Sequence, residues 1–216
     1  MNFFCITLNL HYLCTCKLLQ VKVVVIKYNA GNIYSVKYGL KRLGLTPVIT
    51  DDPEIIQKAD KVIFPGQGEA GTTMKFLQEH KLDRLITDLK QPVLGICIGM
   101  QLMCSHSEEG DTPCLGIFGT TVKRFIPQLH AHKVPHIGWN TLTTMQGDLF
   151  KNLPESPSVY FVHSYYVPAT THTAAVCNHI QPFSAALQKD NFYATQFHPE
   201  KSGDIGEVIL NNFIDI

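Results

Sequence analysis

Pro92-Val93-Leu94 runs directly into Gly95-Ile96-Cys97-Ile98-Gly99-Met100-Gln101, so an apolar strand opens into a helix-like stretch with a cysteine at the junction. Glycines stand two residues to either side of the thiol. That spacing fits a strand–turn–helix elbow, in which the apex residue takes a strained backbone and side chains at the flanks would clash. The apex side chain then stands clear of the sheet beside the N–H groups that open a helix, a setting that favours a nucleophilic thiolate. A glycine-flanked cysteine taken alone is more simply the buried end of a strand. The nucleophile reading therefore needs support from the rest of the chain.

Upstream, the pattern is one of alternating strands and helices. Lys22-Val23-Val24-Val25-Ile26, Pro47-Val48-Ile49-Thr50 and Lys61-Val62-Ile63-Phe64 read as strands rich in β-branched residues. Between the first two, Ile33, Val36, Leu40 and Leu43 recur at helical spacing, with Asn32 as a cap and Gly44 as a stop. Asp52-Pro53 supplies a cap followed by proline at the first helical position. A further helical stretch through Met74, Leu77, Leu82 and Leu85 leads to the strand before Cys97. Repeated βα units predict an α/β fold, a mostly parallel doubly wound sheet whose sites lie at the carboxyl ends of its strands. Cys97 and the loop Pro65-Gly66-Gln67-Gly68 both fall at such ends. The second half reads as shorter strands, several of them antiparallel, at 115–125, 141–143, 159–162, 173–177, 185–187 and 192–197. Asp204 then caps a last helix with Ile205, Val208, Ile209 and Phe213 facing inward.

The 216 residues carry 18 basic and 18 acidic side chains, a zero net charge with no footprint for nucleic acid or an anionic membrane. Seven cysteines, odd in number and irregular in spacing, give no disulfide framework and suit the reducing cytoplasm. Residues 1–20 read as an irregular extension before a single domain at 21–216. They lack the basic flank and cleavage site of a secretory signal and are too short and interrupted to span a bilayer. Cys14-Thr15-Cys16 has the chemistry for a soft metal, but no second ligand pair matches its spacing, so no metal is expected.

Support for the elbow comes from Ala194-Thr195-Gln196-Phe197-His198-Pro199-Glu200. His198 sits where a buried strand runs out. In extended chain, residues two apart project to one side, so Glu200 can orient the His198 ring and leave its other nitrogen for the thiol. That is the nucleophile–base–orienter arrangement of a triad. The bland alternative is a strand-end histidine beside a solvated acid.

With these motifs in view, the chain resembles a class I glutamine amidotransferase, and more narrowly the glutaminase-subunit family of imidazole glycerol phosphate synthase. The resemblance covers 21–216. It rests on the 32–43 helix, Pro65–Gly68, the elbow through Gln101, Leu115-Gly116-Ile117, Lys133–Asn140 and Tyr160–Tyr166, together with Ala194–Ser202. It implies that Cys97 attacks the carboxamide of L-glutamine, His198 moves the proton and Glu200 orients it, with no cofactor. The oxyanion donors would be the Ile98 N–H and the Gly66-Gln67 loop, while Gln101, Glu109, Ser164 and Tyr165 hold the glutamine. Ammonia would pass through an internal route to a partner in a heterodimer, the (β/α)8-barrel cyclase subunit of imidazole glycerol phosphate synthase, serving histidine biosynthesis. Pro135, Trp139 and Asn140 would form the docking surface, with Trp139 as a buried core residue the competing reading. In the triplet Lys27-Tyr28-Asn29 the residues around the tyrosine, Lys27 and Asn29, depart from the family pattern near the expected site, as does Gln67. Two other function classes remain open: another cysteine hydrolase on the same elbow, such as a γ-glutamyl hydrolase, and a non-catalytic binding subunit.

Overall fold

The computed structural model describes residues 21–28, 33–66, 68–130 and 132–216. The extension at 1–20, its Cys14-Thr15-Cys16 and the Asn32 cap lie outside the described residues, as does Gln67.

The first half forms βα units close to their sequence pattern. Strands β1 (Val23–Ile26), β2 (Val48–Thr50), β3 (Lys61–Phe64) and β4 (Val93–Ile96) alternate with α1 (Ile33–Arg42), α2 (Pro53–Gln57), α3 (Ala70–Glu79) and α4 (Leu82–Asp88). Asp52 caps α2, its Oδ1 accepting the N–H groups of Glu54 at 2.8 Å and Ile55 at 3.4 Å. The stretch read as one helix through Leu85 is two, because Lys81 adopts a left-handed conformation (φ 57°) between them. After β4 come the short helix α5 (Ile98–Leu102) and strands β5 (Cys104–Ser107), β6 (Thr112–Pro113) and β7 (Phe118–Arg124). The remaining strands are β8 (His136–Met145), β9 (Ser158–His163), β10 (Tyr165–Tyr166), β11 (Thr173–His179), β12 (Gln181–Lys189) and β13 (Phe192–Thr195). Helix α6 (Gly203–Asp215) closes the chain. Asp204 lies in its first turn and is not the cap; Ser202 occupies that position and uses its hydroxyl elsewhere.

The main sheet has the order β2-β1-β3-β4-β13-β12-β11-β8-β9. It is parallel from β2 through β13 and antiparallel from there to β9. A smaller sheet, β10-β7-β5-β6, flanks it. Alternation along each strand feeds two cores: Val23, Val25, Ile63 and Leu94 point to one face, Val24, Ile26, Val62 and Phe64 to the other. Helices cover the parallel half on both faces, which is why its strands are apolar at consecutive positions instead of alternating. Each such side chain contributes about 1.5–3 kcal/mol on burial. Among the described residues no helix is long and apolar enough to cross a membrane.

Candidate active site

Three strand ends build the site. β4 lies between β3 and β13, with Gly95 opposite Phe64 on one side and Ala194 on the other. Pro65-Gly66, Cys97 and the Gln196–His198 segment therefore leave the sheet side by side at its carboxyl edge, where open α/β sheets place their ligands.

Cys97 takes φ 53°, ψ −110°, a conformation no β-carbon favours, while its N–H donates to the Thr195 carbonyl at 2.7 Å. The glycines around it have a different job. None of Gly66, Gly95 and Gly99 has positive φ. A β-carbon on Gly66 would fall 1.9 Å from the Ile96 oxygen and 2.6 Å from the Ile98 nitrogen. One on Gly99 would fall 2.3 Å from the Phe64 oxygen, and one on Gly95 2.9 Å from Met103 Sδ. The elbow and the Pro65-Gly66 loop are packed backbone to backbone, and only glycine leaves room. Tyr28 reinforces that loop by donating its hydroxyl to the Pro65 carbonyl. Tyr28, the residue that braces the site, stands between the departures at Lys27 and Asn29; Asn29 lies outside the described residues.

His198 and Glu200 are both 4% exposed, and Nδ1 of the ring meets Oε1 of the carboxylate at 2.8 Å. A carboxylate accepts, so the ring proton sits on Nδ1 and Nε2 is left for the sulfur. Burial drags the His198 pKa down. Its hydrogen bonds to Cys97 and Glu200, and the negative charge of both groups, outweigh that and raise it to about 10. The contact is not made in extended chain, as the two-residue spacing predicts: Pro199–Lys201 forms a 3₁₀ turn, with His198 (φ −100°, ψ 95°) as its N-cap. Proline at the first position of that turn and a clamp by Ser202 explain it. The Ser202 hydroxyl donates to the His198 carbonyl at 2.7 Å and accepts the Tyr160 N–H at 3.0 Å. The His198 N–H donates to the Tyr160 carbonyl at 2.9 Å, and Arg42 reaches the Glu200 carbonyl at 3.2 Å.

Cys97 and His198 open onto a cavity of about 270 Å³ that Gly66 and Ile98 also line. Gln101, Glu109, Ser164 and Tyr165, predicted to hold a ligand, form more of its wall. Glu200 stands behind His198, out of the cavity. Glu109 Oε2 accepts the Ala70 N–H at 2.9 Å; burial, and secondarily the charge of Glu69, raise its pKa against the pull of that bond. A cationic ligand group beside it would relieve this. Gln101 Nε2 donates to the Tyr165 carbonyl at 3.1 Å and to Gln196 Oε1 at 2.9 Å.

Pro135, Trp139 and Asn140 are not part of this cavity. Trp139 is 57% exposed, its ring edge-on to Tyr160 at 6.0 Å, and neighbouring Ile137 is 61% exposed. The core reading of Trp139 is therefore excluded. Residues without an assigned role in the sequence reading also converge here. Gln196 is fully buried with Nε2 3.8 Å from Cys97 Sγ. Ser202 clamps the turn, and His163 lines the cavity. They lie inside quoted motifs, but nothing in their type or spacing announces what they touch. Burial raises the thiols of Cys104, Cys114 and Cys177, the last two to about 12, which withholds thiolate chemistry from them near neutral pH.

Comparison with known proteins bears on the same region. The family model of glutamine amidotransferase class-I matches residues 20–216. Imidazole glycerol phosphate synthase subunit HisH of Bacteroides fragilis (strain YCH46) is 64% identical over 196 residues, 91% of this chain and 100% of that protein. The HisH subunit of Pectobacterium atrosepticum is 45% identical over 198 residues, with the same shares covered. Among solved structures, a glutamine amidotransferase matches with a TM-score of 0.67 at 18% identity, covering 88% of this chain and 98% of that one. PurLQS from Thermotoga maritima matches at 0.64 and 13% identity, over 91% and 99%. At those identities the two structures establish the fold alone.

Proposed function

Because the chain belongs to the class I glutamine amidotransferase family, among the HisH-type glutaminase subunits of imidazole glycerol phosphate synthase, we propose that Cys97, His198 and Glu200 are its catalytic triad. The observation that carries this is the buried His198–Glu200 pair at 2.8 Å, its ring opening onto the same cavity as a cysteine at the apex of a strained elbow.

In this reading the Cys97 thiolate attacks the side-chain carbonyl carbon of L-glutamine, forming a carbon–sulfur bond and a tetrahedral oxyanion. The Ile98 N–H, at the start of α5, and the peptide of the Gly66-Gln67 loop stabilise that charge. His198, protonated in its paired state, delivers its Nε2 proton to the leaving nitrogen as the carbon–nitrogen bond breaks, and ammonia departs. The ring then takes a proton from water, which attacks the thioester; glutamate leaves and the thiolate returns. Glu200 holds the Nδ1–H throughout, fixing the tautomer. Gln101, Ser164 and Tyr165 position the substrate, and Glu109 faces its ammonium.

The HisH relatives are named as subunits of a synthase, and this chain works with a partner subunit. We take that partner to be a (β/α)8-barrel cyclase that receives the ammonia in a heterodimer. Exposed Ile137 and Trp139, between Pro135 and Asn140, support a docking face there, since aromatic anchors dominate interface energies. We place the catalytic domain at 21–216 and the complex in the cytoplasm, a reading supported by unpaired described cysteines. The test is glutamate release from glutamine with and without the cyclase subunit and its nucleotide ligand. Low activity alone, a large rise in the complex and none for Cys97→Ala are expected. Full activity in Cys97→Ala would refute the assignment.

A further inference from the structure

Two buried histidines stand outside the triad, His136 at the start of β8 and His163 at the end of β9, paired across the ladder. Their hydrogen bonds run in one direction only. His163 Nδ1 lies 2.7 Å from the Tyr165 carbonyl, which can only accept, so Nδ1 carries the proton. In a neutral ring Nε2 is then an acceptor, and His136 Nδ1, 3.0 Å away, must donate to it. His136 Nε2 is in turn an acceptor and takes a hydrogen from Asn140 Nδ2 at 3.2 Å. The other Asn140 amide hydrogen goes to the Asn178 carbonyl at 2.9 Å, while its Oδ1 accepts the Thr141 N–H at 2.8 Å. His179 stacks on His136 with centroids 4.0 Å apart and holds the Lys133 carbonyl at 2.8 Å, which fixes the plane of the ring.

The inner end of this chain is the cavity wall. The Tyr165 carbonyl that receives His163 also receives Gln101, whose second hydrogen goes to Gln196, which reaches the Cys97 sulfur. We propose that Asn140, His136 and His163 are positioning residues, a one-way hydrogen-bond chain that sets the Tyr165 carbonyl and, through it, Gln101 in the substrate-binding wall. The proposal rests on the glutaminase reading. It follows from the chemistry of the groups: each ring has a single workable tautomer, so the chain has one polarity. A buried imidazole nitrogen stripped of its partner shifts to find another.

The test compares His136→Phe, which keeps an aromatic ring against His179 and Phe161 but donates nothing, with His136→Gln, which restores a donor and an acceptor. Both are assayed in the assembled complex with the cyclase subunit. The expected result for His136→Phe is a KM for glutamine raised about tenfold with kcat within about threefold, a split that a general loss of fold does not produce. His136→Gln is expected to bring KM back to within about threefold of the parent. An unchanged KM in His136→Phe, or a rise that His136→Gln leaves in place, overturns the proposal. Should His136→Phe fail to fold, long-range proton–nitrogen NMR spectra of the unaltered protein decide. Protons on Nδ1 of both rings support the chain; a proton on Nε2 of either overturns it. An unaltered complex that releases no glutamate contradicts the glutaminase reading instead, and the same spectra still settle the chain.

Discussion

Cys97 holds a conformation that costs about 1–3 kcal/mol for a residue with a β-carbon, and the neighbouring glycines let the fold impose it. Gly66 is the most demanding of them. In Gly66→Ala the new methyl would meet the Ile96 oxygen at 1.9 Å, so the loop must retreat from the elbow and take the proposed oxyanion donor with it. The expected outcome is a kcat about 10²- to 10³-fold lower, the cost of one lost oxyanion donor, with the circular dichroism spectrum retained. A kcat within about twofold of the parent would remove the loop from the mechanism. At this scale the legible residues are those whose role is written in local spacing: the glycines around Cys97, and His198 two positions before Glu200. Gln196, Ser202 and His136 were illegible because their partners, Cys97, Tyr160 and His163, are brought to them only by strand order. Even where two side chains meet as their spacing suggests, as His198 and Glu200 do, the geometry differs, since Pro199 turns what reads as extended chain into a 3₁₀ turn.

The parallel register of β3, β4 and β13 turns three separate motifs into one site, and the helices that follow hold each loop in place. Glu69 illustrates this. It caps α3 just after the Pro65–Gly68 loop, its two carboxylate oxygens each accepting one N–H, of Gly71 and Thr72, at 2.8 Å. The bonds from Thr72 and Gly71 lower its pKa from the ordinary 4.5. The charged cap therefore stabilises the fold above pH 4.5, and that contribution is lost as pH falls through the lowered value. Glu69→Ala should cost about 1 kcal/mol in urea unfolding at pH 7, with the difference from the parent shrinking as pH falls from 4.5 through the lowered pKa. A constant difference down to strong acid would contradict the capping role. Element boundaries were legible where burial is two-sided, as in β1, β3 and β4. Two strands of the second half were read too short, β8 running over His136–Met145 and β12 over Gln181–Lys189 beyond the fragments at 141–143 and 185–187, while 115–125 and 192–197 overran β7 and β13. β8 faces solvent on one side and carries Asn140, Thr141, Thr143 and Thr144, so its hydrophobic signal is thin, and bulges in the β11 pairings interrupt the alternation nearby.

At the scale of the whole molecule, the fold keeps three buried histidines in opposite charge states, His136 and His163 neutral and His198 charged. Burial, and then the charge of His179, lower the His136 pKa to about 4. Burial lowers His163 to about 3, with His136, His179 and His198 adding to the effect and the Tyr165 carbonyl opposing it. Both rings are neutral in the fold and take up a proton on unfolding below the ordinary 6.5, so stability should fall as pH drops from 6.5 toward 4. His198 works the other way: its raised pKa contributes stability that is complete below 6.5 and lost as pH rises through about 10. Thermal unfolding across this range should show a maximum near neutrality, and His136→Phe should flatten the acid side. A melting temperature unchanged between pH 7 and 4 would contradict the buried neutral pair.

The claim on which the rest depends is that the sulfur of Cys97 becomes bonded to the substrate. Acid-quenched reactions of the complex with glutamine, digested and mapped by mass spectrometry, test it directly. A γ-glutamyl thioester on the peptide containing Cys97, absent from Cys97→Ala and from mixtures without glutamine, is the predicted result. Glutamate formed at the full rate by Cys97→Ala, or an adduct confined to another cysteine, would contradict it.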